Sequence, residues 1–465
     1  MGSLFSFIFF GSGALLLTWM IVQAIRGRHD LLCLRNLFLF GVIIFQFISG
    51  GFSMMTIGRV TEFFVADPLV TGAKFYILLL IFLFLMLWVY QRGWGVKNWA
   101  WRSKAHFPDQ KPTTLLMISF LFLLMGFVFR IVIGRNVEIL GVLTDIMAVG
   151  MLSGAAGLAA WAWAPRIWNP AVALPAFLLI FGCVVLSIVQ TFGRRDLLSV
   201  MLTVLFAAYH SSWKYQGFPR LFTKLGTLAV TAVIFLAAFS TVRAKTSSLK
   251  DFDPGTFVQL LMDADVNGGL EALIGGQAAA NNSMWLMEHR PPFDPFHTVI
   301  YTISQPIPRK LWPGKPLGLG KAMVNEDLRV GEDAAYNVGP GLIGHIYNDN
   351  PWLSLVPYAI FFGLMWRFFD EWVTSHPGNP FIVLPVGVGA GDLIGIPRGE
   401  LGICLFRFLT AVVTAWFLMR FCIVLLRTFG GIPREPVDQG YPLEPELAYS
   451  EAGDGYGEPD HDSRV

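Results

Sequence analysis

Four short stretches of this chain carry charged side chains where phosphate or sugar chemistry can use them and where membrane insertion disfavours them. Gly193-Arg194-Arg195-Asp196 sets two guanidiniums side by side in a brief link between apolar runs. Adjacent guanidiniums suit bidentate phosphate recognition; the plainer reading is that Asp196 pairs with one of them at a tight turn. Pro397-Arg398-Gly399-Glu400 is a second such link, with Asp392 before it and Arg407 inside the apolar run that follows. It offers a cation beside a carboxylate that can take a proton, or else a structural ion pair, since buried charges usually find partners. Pro308 to Pro316 gathers Arg309, Lys310 and Lys315 around Trp312 in a proline-locked turn. That is a solvated basic turn, or an anion contact whose indole stacks on a sugar face. Gly339 to Asp349 joins a glycine-rich entry to His345, Tyr347, Asn348 and Asp349, which is an ordinary interfacial histidine or a proton handler with sugar contacts. Arg130, Arg135 and Asp145 read as a helix-pairing cluster.

Other chemistries leave no trace. There is no Walker loop, GxSxG elbow, HExxH pair or metal-spaced His/Cys/Asp cluster. The segment from Asp263 to Gly269 opens like a calcium loop, but Ile274 stands where the closing glutamate belongs. Cys33, Cys183, Cys404 and Cys422 lack CxxC spacing and lie in or beside apolar runs, as small buried hydrophobes do. With no nucleotide site visible, a reaction here must run on a substrate that is already activated. Lys and Arg number 34 against 32 acidic residues, without a basic run, which gives no reason to expect nucleic acid as a partner.

The elements that must hold these groups are apolar helices. Of 465 residues 54% are hydrophobic and 14% charged, and the mean hydropathy of +0.57 marks an all-α polytopic membrane protein. A span needs about 20 apolar residues, and about eleven segments qualify. They are 4–25, 37–57, 74–90, 114–133, 138–162, 171–192, 197–212, 225–242, 351–369, 380–396 and 401–426, the seventh short and the tenth loosened by the glycines of PVGVGAGD. Lys and Arg alternate between the connections so that the N-terminus and the large loop lie outside and the C-terminus inside. The chain divides into an N-terminal bundle of eight spans (1–242), an external loop (243–350) and three C-terminal spans (351–430). An acidic tail (431–465) has too little apolar surface to order. Residues 256–280 are expected to form short interfacial helices, and four prolines from Pro306 to Pro316 forbid a continuous helix and impose rigid turns.

The stretch IPRKLWPGKP (Ile307 to Pro316), followed by GPGLIGHIYND (Gly339 to Asp349) and a final group of spans, resembles the bacterial oligosaccharide repeat unit polymerases. These are the Wzy-type O-antigen and exopolysaccharide polymerases. The GRRD link and the dominant loop before the last spans resemble them as well. The resemblance implies a fold like the GT-C-type polymerases and ligases, and a glycosyltransferase of the bacterial inner membrane with neither metal nor cofactor. Its donor and acceptor would be undecaprenyl-diphosphate-linked oligosaccharides, and its partners the lipid bilayer, a flippase and chain-length regulator proteins. In that scheme Arg194, Arg195, Arg309 and Arg398 neutralise the leaving diphosphate, with Lys315 beside them. Glu400 or His345 is the base, and Trp312 and Tyr347 stack on sugars. An O-antigen ligase or a polyprenyl-phosphate-sugar transferase is the rival within the class. A flippase for lipid-linked glycans is the rival outside it, and would spread its charges along a lumen with repeat symmetry.

Overall fold

The computed structural model describes residues 2–56, 63–102, 111–133, 141–188, 194–245, 265, 278–289, 294–327 and 338–429. Among these every regular element is a helix and none is a strand. The acidic tail, Arg135 and nearly all of the stretch expected to form interfacial helices lie outside the described residues, as does the side chain of Arg194.

The first helices are α1 (Gly2–Ile25), α2 (Leu34–Val42), a π-helical turn (Ile43–Ile48), α3 (Ser49–Met55), α4 (Pro68–Arg92) and α5 (Val96–Arg102). Next come α6 (Pro112–Phe127) with a second π-turn (Val128–Ile133), α7 (Gly141–Trp163), α8 (Pro170–Ile188), α9 (Arg194–Ser211) and α10 (Phe218–Lys245). Four short helices follow: α11 (Ala279–His289), α12 (His297–Ser304), α13 (Leu319–Asp327) and α14 (Gly341–Asn348). The chain then forms α15 (Pro351–Ser375), α16 (Pro380–Val388), α17 (Ala390–Gly395) and α18 (Leu401–Thr428). The ends follow local chemistry. Asp67 accepts the Val70 N–H and Asn350 accepts the Trp352 N–H, each just before a proline that begins a helix, while Gly93 ends α4 at a φ of +65°.

Eight helical stretches are long and apolar enough to cross a membrane: α1, α2 through α3, α4, α6 with its π-turn, most of α7, α8, α15 and α18. Large apolar side chains such as Phe7, Phe84 and Leu174 face outward, as a lipid-facing surface requires. Of the other three expected spans, the one over 197–212 is α9, which carries Arg195, Asp196 and His210 and falls short in apolarity. The eighth coincides with α10. The tenth is broken, as its glycines suggested: α16 and α17 meet at Gly389, where a Cβ would lie 2.3 Å from the Phe408 ring. Both pieces are buried, save Gly395 at the end of α17.

Small residues set the centre. The span 143–166 is buried over most of its length, and its Gly150, Gly154 and Gly157 lie against Ala411, Phe122 and Thr203 of α18, α6 and α9. Where hydrophobic transfer gives no drive between helices in lipid, such close backbone approach replaces it. The same device joins α4 to α15, where Phe82, Phe362 and Trp366 stack nearby. A Cβ on Gly363 would sit 2.7 Å from the Met86 carbonyl and 2.9 Å from Val89 Cβ, neither of which can retreat alone. Gly363→Ala is therefore expected to cost about 1–3 kcal/mol, read as a fall in unfolding temperature of the purified protein.

Candidate functional site

Three of the four predicted groups meet at one end of the bundle. The glycine-rich entry to α14 lies against the 397–400 turn so closely that a Cβ on Gly339 would be 2.3 Å from the Arg398 carbonyl oxygen. The Leu342 N–H donates to the Pro397 carbonyl at 3.2 Å, and Gln46, in the first π-turn, donates its amide to the same oxygen. From α11, Ser283 donates to the Pro340 carbonyl at 2.5 Å and Asn282 to the Gly339 carbonyl at 3.0 Å. This docking turns His345 inward.

His345 is fully buried. Its Nε2 accepts the Leu401 N–H at 3.0 Å, which leaves the proton on Nδ1, 3.0 Å from Thr298 Oγ1. Glu400 Oε1 stands 3.4 Å from Nε2. The carboxylate also accepts the Leu319 and Gly320 N–H groups at 2.8 and 2.9 Å, so it caps the start of α13. Burial, then the charge of His297, pulls the imidazole pKa down to about 3. Burial raises that of Glu400, against the pull of the two amides. Tyr301 lies alongside: a Cβ on Gly318 would be 2.9 Å from its hydroxyl and 3.1 Å from Glu400 Oε2. Burial and the Glu400 charge push its phenol to about 12. Asp349 completes the layer, accepting the Thr298 N–H at 3.2 Å and the Tyr358 hydroxyl.

The neutral imidazole has a measurable consequence. The folded chain takes no proton at His345 until about pH 3, whereas the unfolded chain takes one below its ordinary value of 6.5. Stability from this residue is thus lost as pH falls below 6.5; Glu400, whose pKa is raised, works in the opposite direction. The loss of stability between pH 7 and pH 5 is expected to be about 2 kcal/mol smaller in His345→Gln than in wild type, measured as paired unfolding curves.

The Arg194–Asp196 link reaches well beyond its own turn. Asp196 pairs with Arg130 at 3.3 Å and with Arg407 at 2.7 Å. Arg130 also reaches Asp145 at 2.7 Å, and Arg407 reaches Asp392 at 2.8 Å. Three carboxylates and two guanidiniums alternate in one line across α7, the second π-turn, α9, α18 and α17. Arg195 stands beside that line. Its Nη1 is 3.8 Å from Cys404 Sγ, and its Nη2 would be 3.1 Å from a Cβ on Gly399. Among the described residues no carboxylate comes within 4.0 Å of it, though its charge acts on both Asp392 and Glu400. Arg398 is half-buried with its guanidinium 5.7 Å from the centre of the Phe45 ring.

The basic proline turn is not brought into this layer. Arg309 donates to the Lys315 and Pro316 carbonyls at 3.1 and 3.2 Å, and Lys315 to those of Gln305 and Ile307 at 3.3 and 3.1 Å. Prolines supply no N–H, so the two cations satisfy carbonyls the turn would otherwise leave bare. Trp312 is exposed on the same turn, and Tyr347 faces α11, donating to the Met287 carbonyl at 3.2 Å. Sequence reasoning missed Thr298, Tyr301 and Tyr358. A signal existed: in α12, Thr298, Tyr301 and Thr302 recur at helical spacing and turn inward, while Phe296, Val299, Ile300 and Ile303 are exposed. That is the reverse of a water-soluble helix and fits one lying against lipid.

Compared with models of protein families, with curated proteins and with solved structures, the chain matches none. Among the described residues no group of three or more His, Cys, Asp and Glu could hold a metal ion. What the layer can offer is a guanidinium without a carboxylate partner, a buried imidazole–carboxylate pair able to share a proton, and a phenol beside them.

Proposed function

We propose that the chain is a membrane glycosyltransferase that polymerises undecaprenyl-diphosphate-linked oligosaccharide repeat units into a surface polysaccharide on the outer face of the bacterial inner membrane. What carries this reading is the convergence of segments some 50 to 200 residues apart, with Arg195 left unpaired by carboxylate beside Glu400 and His345. A glycosyl diphosphate is pre-activated. The chemistry needed is charge stabilisation on the departing diphosphate and removal of a proton from the acceptor hydroxyl. Arg195 and Arg398 supply the first. The His345–Glu400 pair supplies the second, Nε2 being the nitrogen with a free lone pair once the Leu401 amide yields. Because α13 sits on Glu400 through two amides, the segment from α12 to α13 serves as a lid, and the acceptor reaches the pair when α13 lifts. In this reading the chain crosses the membrane about eleven times in a GT-C-like arrangement, with its N-terminus periplasmic and its C-terminus cytoplasmic. A flippase and chain-length regulators work beside it.

The purified protein in lipid, given lipid-linked repeat units, should yield a ladder of products. Failure of the wild type with several such substrates overturns the polymerase reading. A topology reporter fused after Pro316 that reports cytoplasm overturns the orientation.

A further inference from the structure

A polar-lined cavity of about 490 Å³ lies at the other end of the bundle. Asp370 on its wall is twelve residues along α15 from Tyr358, so about 18 Å separates it from the His345 layer. The walls are the turn after α1, the ends of α4 and α9, the start of α10, and α15 from Arg367 to Thr374. The volume is that of a small-molecule site.

By formal count its charges balance: Arg28, Lys214 and Arg367 against Asp30, Asp370 and Glu371. Their partners, however, are unevenly distributed. Asp370 is consumed by the Tyr90 hydroxyl at 2.8 Å and by the Leu34 and Arg35 amides at 2.6 and 3.3 Å. Glu371 pairs with Arg367, whose Nε is buried without a hydrogen-bond partner. Asp30 receives the Tyr209 hydroxyl at 3.4 Å. Arg28 and Lys214 have no carboxylate within 4.0 Å among the described residues, and the Lys214 ammonium lies 5.1 Å from the centre of the Tyr215 ring. Among the described residues two cations of the wall are thus left without an anionic partner. His29 lies on the same wall, where burial and then Arg35, Arg367 and Arg28 lower its pKa to about 4. One side of the mouth is apolar, formed by Ala24 and Ile25 of α1 and by Phe218 and Leu221 of α10. Ile25 and, one turn beyond Phe218, Phe222 are exposed there. A free anion has no use for such a flank, whereas an amphiphile does.

We infer that this cavity binds the phosphate-bearing headgroup of a membrane phospholipid, with the phosphate between Arg28 and Lys214 and the acyl chains leaving between α1 and α10. The free oxygens of Asp30 suit hydroxyl donors of a glycerol headgroup. The inference is independent of the glycosyltransferase reading, since none of its residues belongs to the His345 layer.

The test uses the full chain in phosphatidylcholine nanodiscs doped with pyrene-labelled phosphatidylglycerol, followed by transfer to detergent and measurement of retained label. Wild type should retain the labelled lipid, and millimolar inorganic phosphate should leave it in place. The double variant Arg28→Gln/Lys214→Gln should weaken retention about 30-fold, the effect of two cations near a lipid phosphate. Arg26→Gln, outside the cavity, should not. Arg28 is exposed and Lys214 half-buried, so the variant keeps its fold, checked by an unchanged unfolding temperature. Equal retention by the double variant, or an equal loss from Arg26→Gln, overturns the proposal. Displacement by inorganic phosphate overturns the lipid as its source.

Discussion

Arg195→Ala is expected to cut chain polymerisation about 10²–10³-fold while leaving the unfolding temperature of the purified protein nearly unchanged. The two halves of that expectation have one cause. Arg130 and Arg407 each answer two carboxylates, whereas Arg195 has none within 4.0 Å among the described residues. Its removal strands no buried anion, so folding loses little. If a diphosphate departs beside Glu400, however, the nearest half-buried guanidinium without a carboxylate partner is gone. Arg195→Lys retains the charge without the fork and should fall between wild type and alanine. A ladder of wild-type length and rate from Arg195→Ala removes Arg195 from the site, and a large fall in stability shows it to be structural.

Arg407→Met should behave in the opposite way. It leaves Asp196 and Asp392, both almost wholly buried, facing each other without the cation that joins them at 2.7 and 2.8 Å. Breaking a buried pair from one side costs about 3–5 kcal/mol; here Asp392 loses its arginine and Asp196 is left with Arg130 alone. The unfolding midpoint should drop sharply, and Arg407→Met/Asp392→Asn should recover part of the loss by deleting one stranded charge. A single variant with wild-type stability would show that water or another cation reaches the two carboxylates.

What was legible in the sequence was what depends on neighbours along the chain. Apolar runs gave α1, α4, α6, α8, α15 and α18 directly, and the glycines of PVGVGAGD marked the break between α16 and α17. Partner choice across the bundle was not legible. Asp196 reaches an arginine 211 residues on, because helix packing and not sequence adjacency decides which charges share a dry interior. Glu400 looked like a free base, and nothing in its surroundings announces that the first amides of α13 will fold onto it. Arg309 and Lys315 looked like phosphate ligands because their type is right; the carbonyls that take them belong largely to residues preceding prolines, and that could have been weighed. The inverted face of α12 could have been read too, since its polar residues recur at helical spacing.

The two π-turns bear on a different kind of change from any substitution. Each places a polar residue of the buried layer, Gln46 against the Pro397 carbonyl and Arg130 against Asp145 and Asp196. A π-turn holds one residue more than the α-helix it interrupts. Deleting a single residue from Ile43–Ile48 would let the helix close regularly and keep the residues on either side in phase, so Ser49 would still accept the Ala280 N–H. What would go is the wide turn that aims Gln46 at the Pro397 carbonyl. At these two places the count of residues, as much as their identity, is part of the specification, and a one-residue deletion in otherwise apolar sequence would be as damaging as the loss of a charge.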